Sequence, residues 1–281
     1  MPSPDLVILG RRVVTPRGVR PAAVLIKAGR IVDVVDPSQA PKGAPLFDAG
    51  NLAVMPGIVD SHVHINEPGR TEWEGFETAT RAAAAGGITT LVDMPLNSIP
   101  VTTTLAAFQI KQAAASGRCW VDCGFWGGVV PGNASELASM VDAGILGFKA
   151  FLIHSGIDDF PNVSEADLRL AMPLLARAGV PLLVHAELER APAGGGSSPR
   201  LYLDYLASRP AAWENDAAAL MTALCAEFRC AVHIVHLSSA GALPFVAKAK
   251  QAGLPFTAET CPHYLTFSAE DIGEGRTEFK C

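Results

Sequence analysis

Four histidines and one lysine in this 281-residue chain stand where metal chemistry could use them. His62 and His64 close an apolar stretch as Asp60-Ser61-His62-Val63-His64. In an extended strand a spacing of two points both imidazoles to one side, from which they can hold one metal ion. Alone, the pair also fits two histidines that satisfy loop carbonyls. His185 ends Pro181-Leu182-Leu183-Val184-His185, and His236 ends His233-Ile234-Val235-His236. Each by itself reads as a hydrogen-bonded rim histidine. Neutral imidazole is the commonest metal ligand, so four at the ends of separate apolar segments together point to a metal centre. His233 lies an odd number of residues from His236 and is expected to face away.

Lys149 sits in the middle of Gly147-Phe148-Lys149-Ala150-Phe151-Leu152-Ile153-His154-Ser155-Gly156, where an ammonium ion is costly. A lysine there can snorkel its head to water. It can also lose its charge, because burial and nearby metal cations both disfavour the ammonium form. A neutral amine in that position can take up carbon dioxide and become a carbamate, an anionic carboxylate analogue long enough to bridge two metal ions. The four imidazoles favour the carbamate.

The elements that must position these groups change character along the chain. Residues 1–53 hold short β-rich pieces separated by turns such as Pro16-Arg17-Gly18 and Ala28-Gly29-Arg30, with no helical period. From residue 54 on, helix-like segments end at a glycine and an apolar strand follows. The junctions are Ala85-Gly86-Gly87-Ile88, Ser116-Gly117, Ala143-Gly144-Ile145, Ala178-Gly179-Val180 and Ala252-Gly253-Leu254. Strands are expected near 54–60, 88–94, 119–126, 144–151, 180–185, 231–236 and 254–260. Such runs, apolar nearly throughout, suit parallel strands covered on both faces. Polar residues gather at many strand ends (His62, His64, Asp93, Lys149, His185, His236, Glu259) and no GxGxxG or Walker sequence is present. That favours an α/β TIM-type (β/α) barrel over a doubly wound sheet. The expected domains are a small N-terminal β domain, 1–53, and a barrel domain, 54–281.

Net charge is -6 and basic residues form no block, so neither nucleic acid nor an anionic membrane is an expected partner. No apolar run is long enough to span a bilayer, and the opening MPSPDLVILGRR lacks a signal peptide's basic region and cleavage site. Cys119, Cys123, Cys225, Cys230, Cys261 and Cys281 fit neither a disulfide framework nor a CxxC zinc site. They are expected to be reduced thiols of a cytoplasmic protein.

The stretches DSHVHINEPG, MPLNSIP, GFKAFLIHSG, LLVHAELE, IVHLSS and ETCPHYL, in this order along essentially the whole chain, resemble the cyclic amidohydrolases of the amidohydrolase superfamily. The resemblance implies a metal-dependent β/α barrel with a small β-sandwich built from both chain termini. It implies two divalent metal ions, zinc in relatives, held by His62, His64, Lys149, His185 and His236. Lys149 would be carboxylated with carbon dioxide to N6-carboxylysine and bridge the pair. It also implies hydrolysis of a ring amide in a small-molecule substrate, and a homo-oligomer, a homotetramer in relatives.

Which ring is opened depends on few positions. Relatives that act on dihydroorotate carry arginine two residues after the His-x-His pair to hold a carboxylate. Asn66 stands there and cannot make that bidentate contact. Dihydropyrimidinase- and hydantoinase-like relatives place tyrosine five residues after the lysine, where His154 stands. Allantoin has no carboxylate, so the allantoin-opening branch, yielding allantoate in ureide catabolism, is the expected one. Asn97 is a further candidate substrate contact. His263 is expected to be structural, with orientation of a ligand as the alternative.

The family's proton-carrying aspartate ends an eighth strand, which would lie beyond Cys281, and neither Asp93 nor Glu259 is licensed to take its role. Seven strands are counted. The expectation is therefore an incomplete barrel and a C-terminally truncated chain with little activity by itself, or a non-catalytic relative.

Overall fold

The structure, a computed structural model, describes residues 3–190, 198 and 200–279. Cys281 lies outside the described residues; the other five cysteines are free thiols. The chain divides into two compact units, Met1–Ile58 and Val59–Cys281.

The first unit is a five-stranded sheet. β1 (Leu6–Thr15) pairs antiparallel with β2 (Gly18–Lys27), which pairs antiparallel with β3 (Arg30–Val35). β4 (Leu46–Asp48) and β5 (Ala53–Val54) then return to the free edge of β1, both parallel to it. Alternation along β2 sends Ala23 and Leu25 to one face with Val7, and Ala22 and Val24 to the other with Val13. The strand expected over 54–60 is divided between the units. Val54 pairs with Val13, and only after Met55-Pro56-Gly57 does β6 (Ile58–Val63) begin. Proline lacks the N–H that a continuous ladder would need there.

In the second unit strands and helices alternate. The order after β6 is α1 (Phe76–Ala85), β7 (Ile88–Asp93), α2 (Leu105–Ala115), β8 (Asp122–Phe125), β9 (Gly127–Gly128), α3 (Leu137–Asp142), β10 (Phe148–Phe151), α4 (Glu165–Ala178), β11 (Leu182–His185), α5 (Tyr202–Ala207), α6 (Ala211–Phe228), β12 (Val232–Ile234), α7 (Leu243–Gln251) and β13 (Phe256–Ala258). Sheet order is β6-β7-β8 and β9-β10-β11-β12-β13, with parallel register from β9 through β13 and between β7 and β8.

The single strand expected over 119–126 is two short ones because it changes partner at Trp126. Trp126 N–H still donates to Asp93 O on β7, whereas Gly127 N–H donates to Gly147 O beside β10. Among the described residues no helix is long and apolar enough to cross a membrane.

Local sequence explains the punctuation. Helix α4 opens with a capping box in which Ser164 accepts from Asp167 N–H and Asp167 accepts from Ser164 N–H. It closes on Gly179 at φ 70, a left-handed residue that lets the last carbonyls be satisfied. Left-handed glycines likewise end the other four junctions expected to stop helices, at Gly87, Gly117, Gly144 and Gly253.

Parity along the strands separates two cores. Phe148 and Ala150 of β10, Leu182 and Val184 of β11, Val232 and Ile234 of β12 and Phe256 of β13 pack with the helices. The intervening residues Phe151, Leu183 and Val235 join Val92, Trp126 and Phe160 in a second cluster on the opposite face. Burial of a Phe148-sized side chain contributes about 1.5–3 kcal/mol, so the helix-side cluster carries much of the unit's stability. Gly147, just before β10, leaves no room for a side chain. A Cβ there would lie 2.6 Å from Pro181 O and 2.8 Å from Trp126 Cζ3. Gly147→Ala is expected to cost about 1–3 kcal/mol by overpacking against backbone, read as a lowered urea midpoint.

Candidate metal centre

Register alone places Lys149 in a row. Lys149 pairs with Leu183, Leu183 with His233, and His233 with Thr257, all on the face away from the helices. Lys149 is 1% exposed, which excludes a snorkelling head. Burial lowers its amine to about 7, with Glu259 acting in the opposite sense from a distance. Its Nζ lies 5.0 Å from the Phe151 ring centre, and among the described residues no salt bridge reaches it.

The four expected histidines converge around this row. Val63 packs into the helix-side core, so its neighbours His62 and His64 point the other way. Ring centres are 5.5 Å apart for His62 and His64, 5.6 Å for His62 and His236, and 4.8 Å for His185 and His236. His185 stacks on Phe151 at 4.8 Å, and its Nδ1 lies 3.2 Å from His236 Nε2. His236 has left β12, which ends at Ile234, and takes φ 40.

Two of the rings are held neutral. Burial first, then the neighbouring His62, Lys149 and Lys111 charges, lower His64 to about 3. Burial, Lys149, His185 and His62 lower His236 to about 2. His64 Nδ1 is buried without any hydrogen-bond partner, an unmet lone pair that costs about 1–3 kcal/mol and that a cation would satisfy. Among the described residues no three His, Cys, Asp or Glu side chains converge on one point. The donors come instead as linked imidazoles around a lysine. Neutral nitrogen donors of this kind suit zinc.

The expectation that His233 faces away does not hold. Parity from His236 fails because His236 is no longer in the strand, and His233 lies on the same face as Lys149. His233 Nε2 is 3.2 Å from Glu259 Oε2, and Glu259 Oε1 meets His62 Nδ1 in a very short contact. Burial pushes Glu259 up, but the hydrogen bonds from His233 and His62 overcome it and hold the carboxyl far below its ordinary range.

Asp93 has a different task. Its Oδ1 accepts from Ile65 N–H at 2.6 Å, and its Oδ2 accepts from Lys111 Nζ at 2.5 Å, which fixes the chain immediately after His64. Burial raises the Asp93 carboxyl to about 6 against the pull of Lys111.

Asn66 and Asn97, both half-buried, are linked through Arg70, whose backbone N–H donates to Asn66 O and whose Nη1 lies 3.5 Å from Asn97 O. Asn97 is left-handed at φ 78. His154 is exposed and accepts from Gly156 N–H within its own loop. His263 stands edge-on to Tyr264 at 4.4 Å.

Three participants carried a weaker signal. Lys111 lies four residues from Ala107 and from Ala115, on the apolar face of α2, and is fully buried. Glu187 bonds His185 Nε2 at 3.1 Å and Arg209 Nη1 at 2.6 Å. Buried Glu67 accepts from Phe76 N–H at 2.9 Å and pairs with Arg118, tying the loop after His64 to the start of α1.

Comparison with known proteins agrees with this architecture. The family described as "Amidohydrolase family" matches residues 53–279. The allantoinase of Streptomyces avermitilis is 51% identical, over 99% of this chain and 63% of its own length. The allantoinase of Arabidopsis thaliana is 46% identical, over 100% of this chain and 59% of its own. Among solved structures, the L-hydantoinase (dihydropyrimidinase) from Arthrobacter aurescens superposes with a TM-score of 0.86 at 32% identity, covering 95% of this chain and 60% of that one. The chain thus spans about six tenths of the length of these relatives. The fold is of the α/β TIM type, and with the family match running across nearly the whole second unit, the chain belongs to the amidohydrolase family.

Proposed function

We propose that this chain carries the metal-binding part of an enzyme that hydrolyses the cyclic amide of allantoin to allantoate. The observation that carries the reading is Lys149, a lysine with 1% exposure and no salt bridge among the described residues, beside four imidazoles. His62, His64, His185 and His236 would hold two divalent ions, with zinc the metal the donor set suits. Lys149, lowered to about 7, has the neutral amine that carboxylation needs. When bound, the ions would polarise the ring carbonyl and lower the pKa of the attacking water.

The chain's own groups do the holding and choosing. Neutral His64 and His236 offer lone pairs instead of protons. Asn66 presents no guanidinium for a substrate carboxylate, which suits allantoin. Asp93 is committed to Lys111 and Glu259 to His62 and His233, so neither is free to carry the reaction's proton. The likeness to a hydantoinase supports a second reading, a hydantoin- or dihydropyrimidine-opening enzyme, and His154 in the loop after β10 speaks for the first. The second unit is read as strands one to seven of the barrel and the first as part of a small β-sandwich. A homotetramer and a cytoplasmic location complete the proposal.

The test is direct. Purified chain with zinc and bicarbonate should hold about two metal equivalents, and full-length protein should open allantoin in preference to hydantoin or dihydrouracil. Two equivalents with turnover of hydantoin alone would favour the second reading. No metal and no turnover would favour a non-catalytic relative.

A further inference from the structure

We infer that Glu259 is a positioning residue that orients His62 for metal binding and is itself held in place by His233 and Thr257. The inference rests on reading His62 as a metal ligand. The contacts form one continuous chain across β6, β12 and β13. Thr257 Oγ1 lies 2.8 Å from His233 Nδ1, His233 Nε2 lies 3.2 Å from Glu259 Oε2, and Glu259 Oε1 meets His62 Nδ1. Only one set of proton positions satisfies every contact with neutral rings. The Thr257 hydroxyl donates to His233 Nδ1, His233 Nε2–H donates to Glu259, and His62 Nδ1–H donates to Glu259 from the other side. That leaves His62 Nε2 unprotonated, with its lone pair available.

Backbone geometry sets the carboxylate where it can do this. Glu259 N–H donates to Ile234 O and Leu237 N–H donates to Glu259 O, so the residue continues the β12–β13 ladder one step past Ala258. Glu259 and Thr257, two apart, therefore share the face that holds Lys149. A solvated surface pair would lack both the second imidazole and the ladder; here the His62 and Glu259 side chains are 20% and 27% exposed. A carboxylate on the far nitrogen of a ligating histidine fixes its tautomer and raises its basicity, and its loss typically costs about 10- to 100-fold in metal affinity.

The experiment uses the whole chain and zinc alone, titrated against a chromophoric chelator, with imidazole nitrogen NMR on the metal-free protein and thermal melts as the folding control. Glu259→Leu is expected to weaken one zinc site about 10- to 100-fold and to shift the His62 proton off Nδ1. Glu259→Gln, which keeps one acceptor oxygen, should recover part of the loss, and His233→Ala should show a smaller loss at the same site. Unchanged zinc affinity and an unchanged His62 tautomer in folded Glu259→Leu would overturn the inference. So would loss of zinc from both sites, since Glu259 would then be a ligand. A wild-type chain that takes up no zinc would refute the metal reading itself. The metal-free spectra would still decide the relay: a proton on His62 Nδ1 upholds it, and a proton on Nε2 overturns it.

Discussion

Lys149→Ala is expected to remove most bound zinc and, in full-length protein, to lower the proposed allantoin turnover by well over about 100-fold, the upper range for an outer partner of a ligand. A side chain with 1% exposure has no route to water, so its amine either stays uncharged or is converted to an anion that metal can meet. Alanine supplies neither donor nor bridge. Propionate added to the variant should restore part of both metal and turnover by standing in for the carbamate. Full metal content with wild-type turnover in Lys149→Ala would show that the buried amine serves packing alone. Lys149→Met separates the two roles further, because it fills the space without the nitrogen. It should fold at least as well as the parent when metal-free and still fail to hold zinc.

Lys111→Met is expected to give the largest loss of stability, about 3–5 kcal/mol near pH 8, measured by urea unfolding. Lys111 and Asp93 form a fully buried pair at 2.5 Å, and removal of the ammonium strands a carboxylate in the core. The effect should depend on pH in a defined sense. Asp93 already sits at about 6 in the folded chain against 3.8 as its ordinary value. A carboxyl raised on folding binds its proton more tightly in the folded state. Its favourable contribution is therefore full below 3.8 and is lost as pH rises through the folded value. Without Lys111 that value rises further, so the variant should lie closer to wild type at pH 5 than at pH 8. An equal deficit at both would mean that the loss is one of packing. Because Asp93 also receives Ile65 N–H, the same variant should loosen the chain beside His64.

The site was readable in the sequence to the extent that its residues violate local expectation. An ammonium in Phe148-Lys149-Ala150 conflicts with the apolar run around it, and that conflict marks the candidate centre. The five junction glycines were equally legible, because a left-handed helix stop is a property of one residue. What depended on distant partners was not. Trp126 is where one strand hands over from β7 to β10, and nothing within 119–126 announces that exchange. His233 was placed on the wrong face because parity was counted from His236, which lies past the end of β12 with φ 40. Glu259 and Glu187 look like ordinary strand-end acids until their partners, far away in sequence or one step around a bend, are seen beside them. Lys111 breaks the apolar face of α2 less visibly than Lys149 breaks its strand, because one lysine on an alanine-rich helix is easily taken for a solvated one.

The two-faced strands also bear on how such a protein can change over generations. In β10 the codons for Phe148 and Ala150 answer to the helix-side core, and those for Lys149 and Phe151 to the opposite face, where the proposed metal centre lies. Selection for a sturdier protein and selection for a different catalyst therefore act on interleaved letters of the same word. Drift toward other apolar residues at one set leaves the meaning of the other intact. In the loops that carry Asn66 and Asn97 the two demands fall on adjacent residues instead, since Ile65, Glu67, Leu96 and Ser98 beside them are buried.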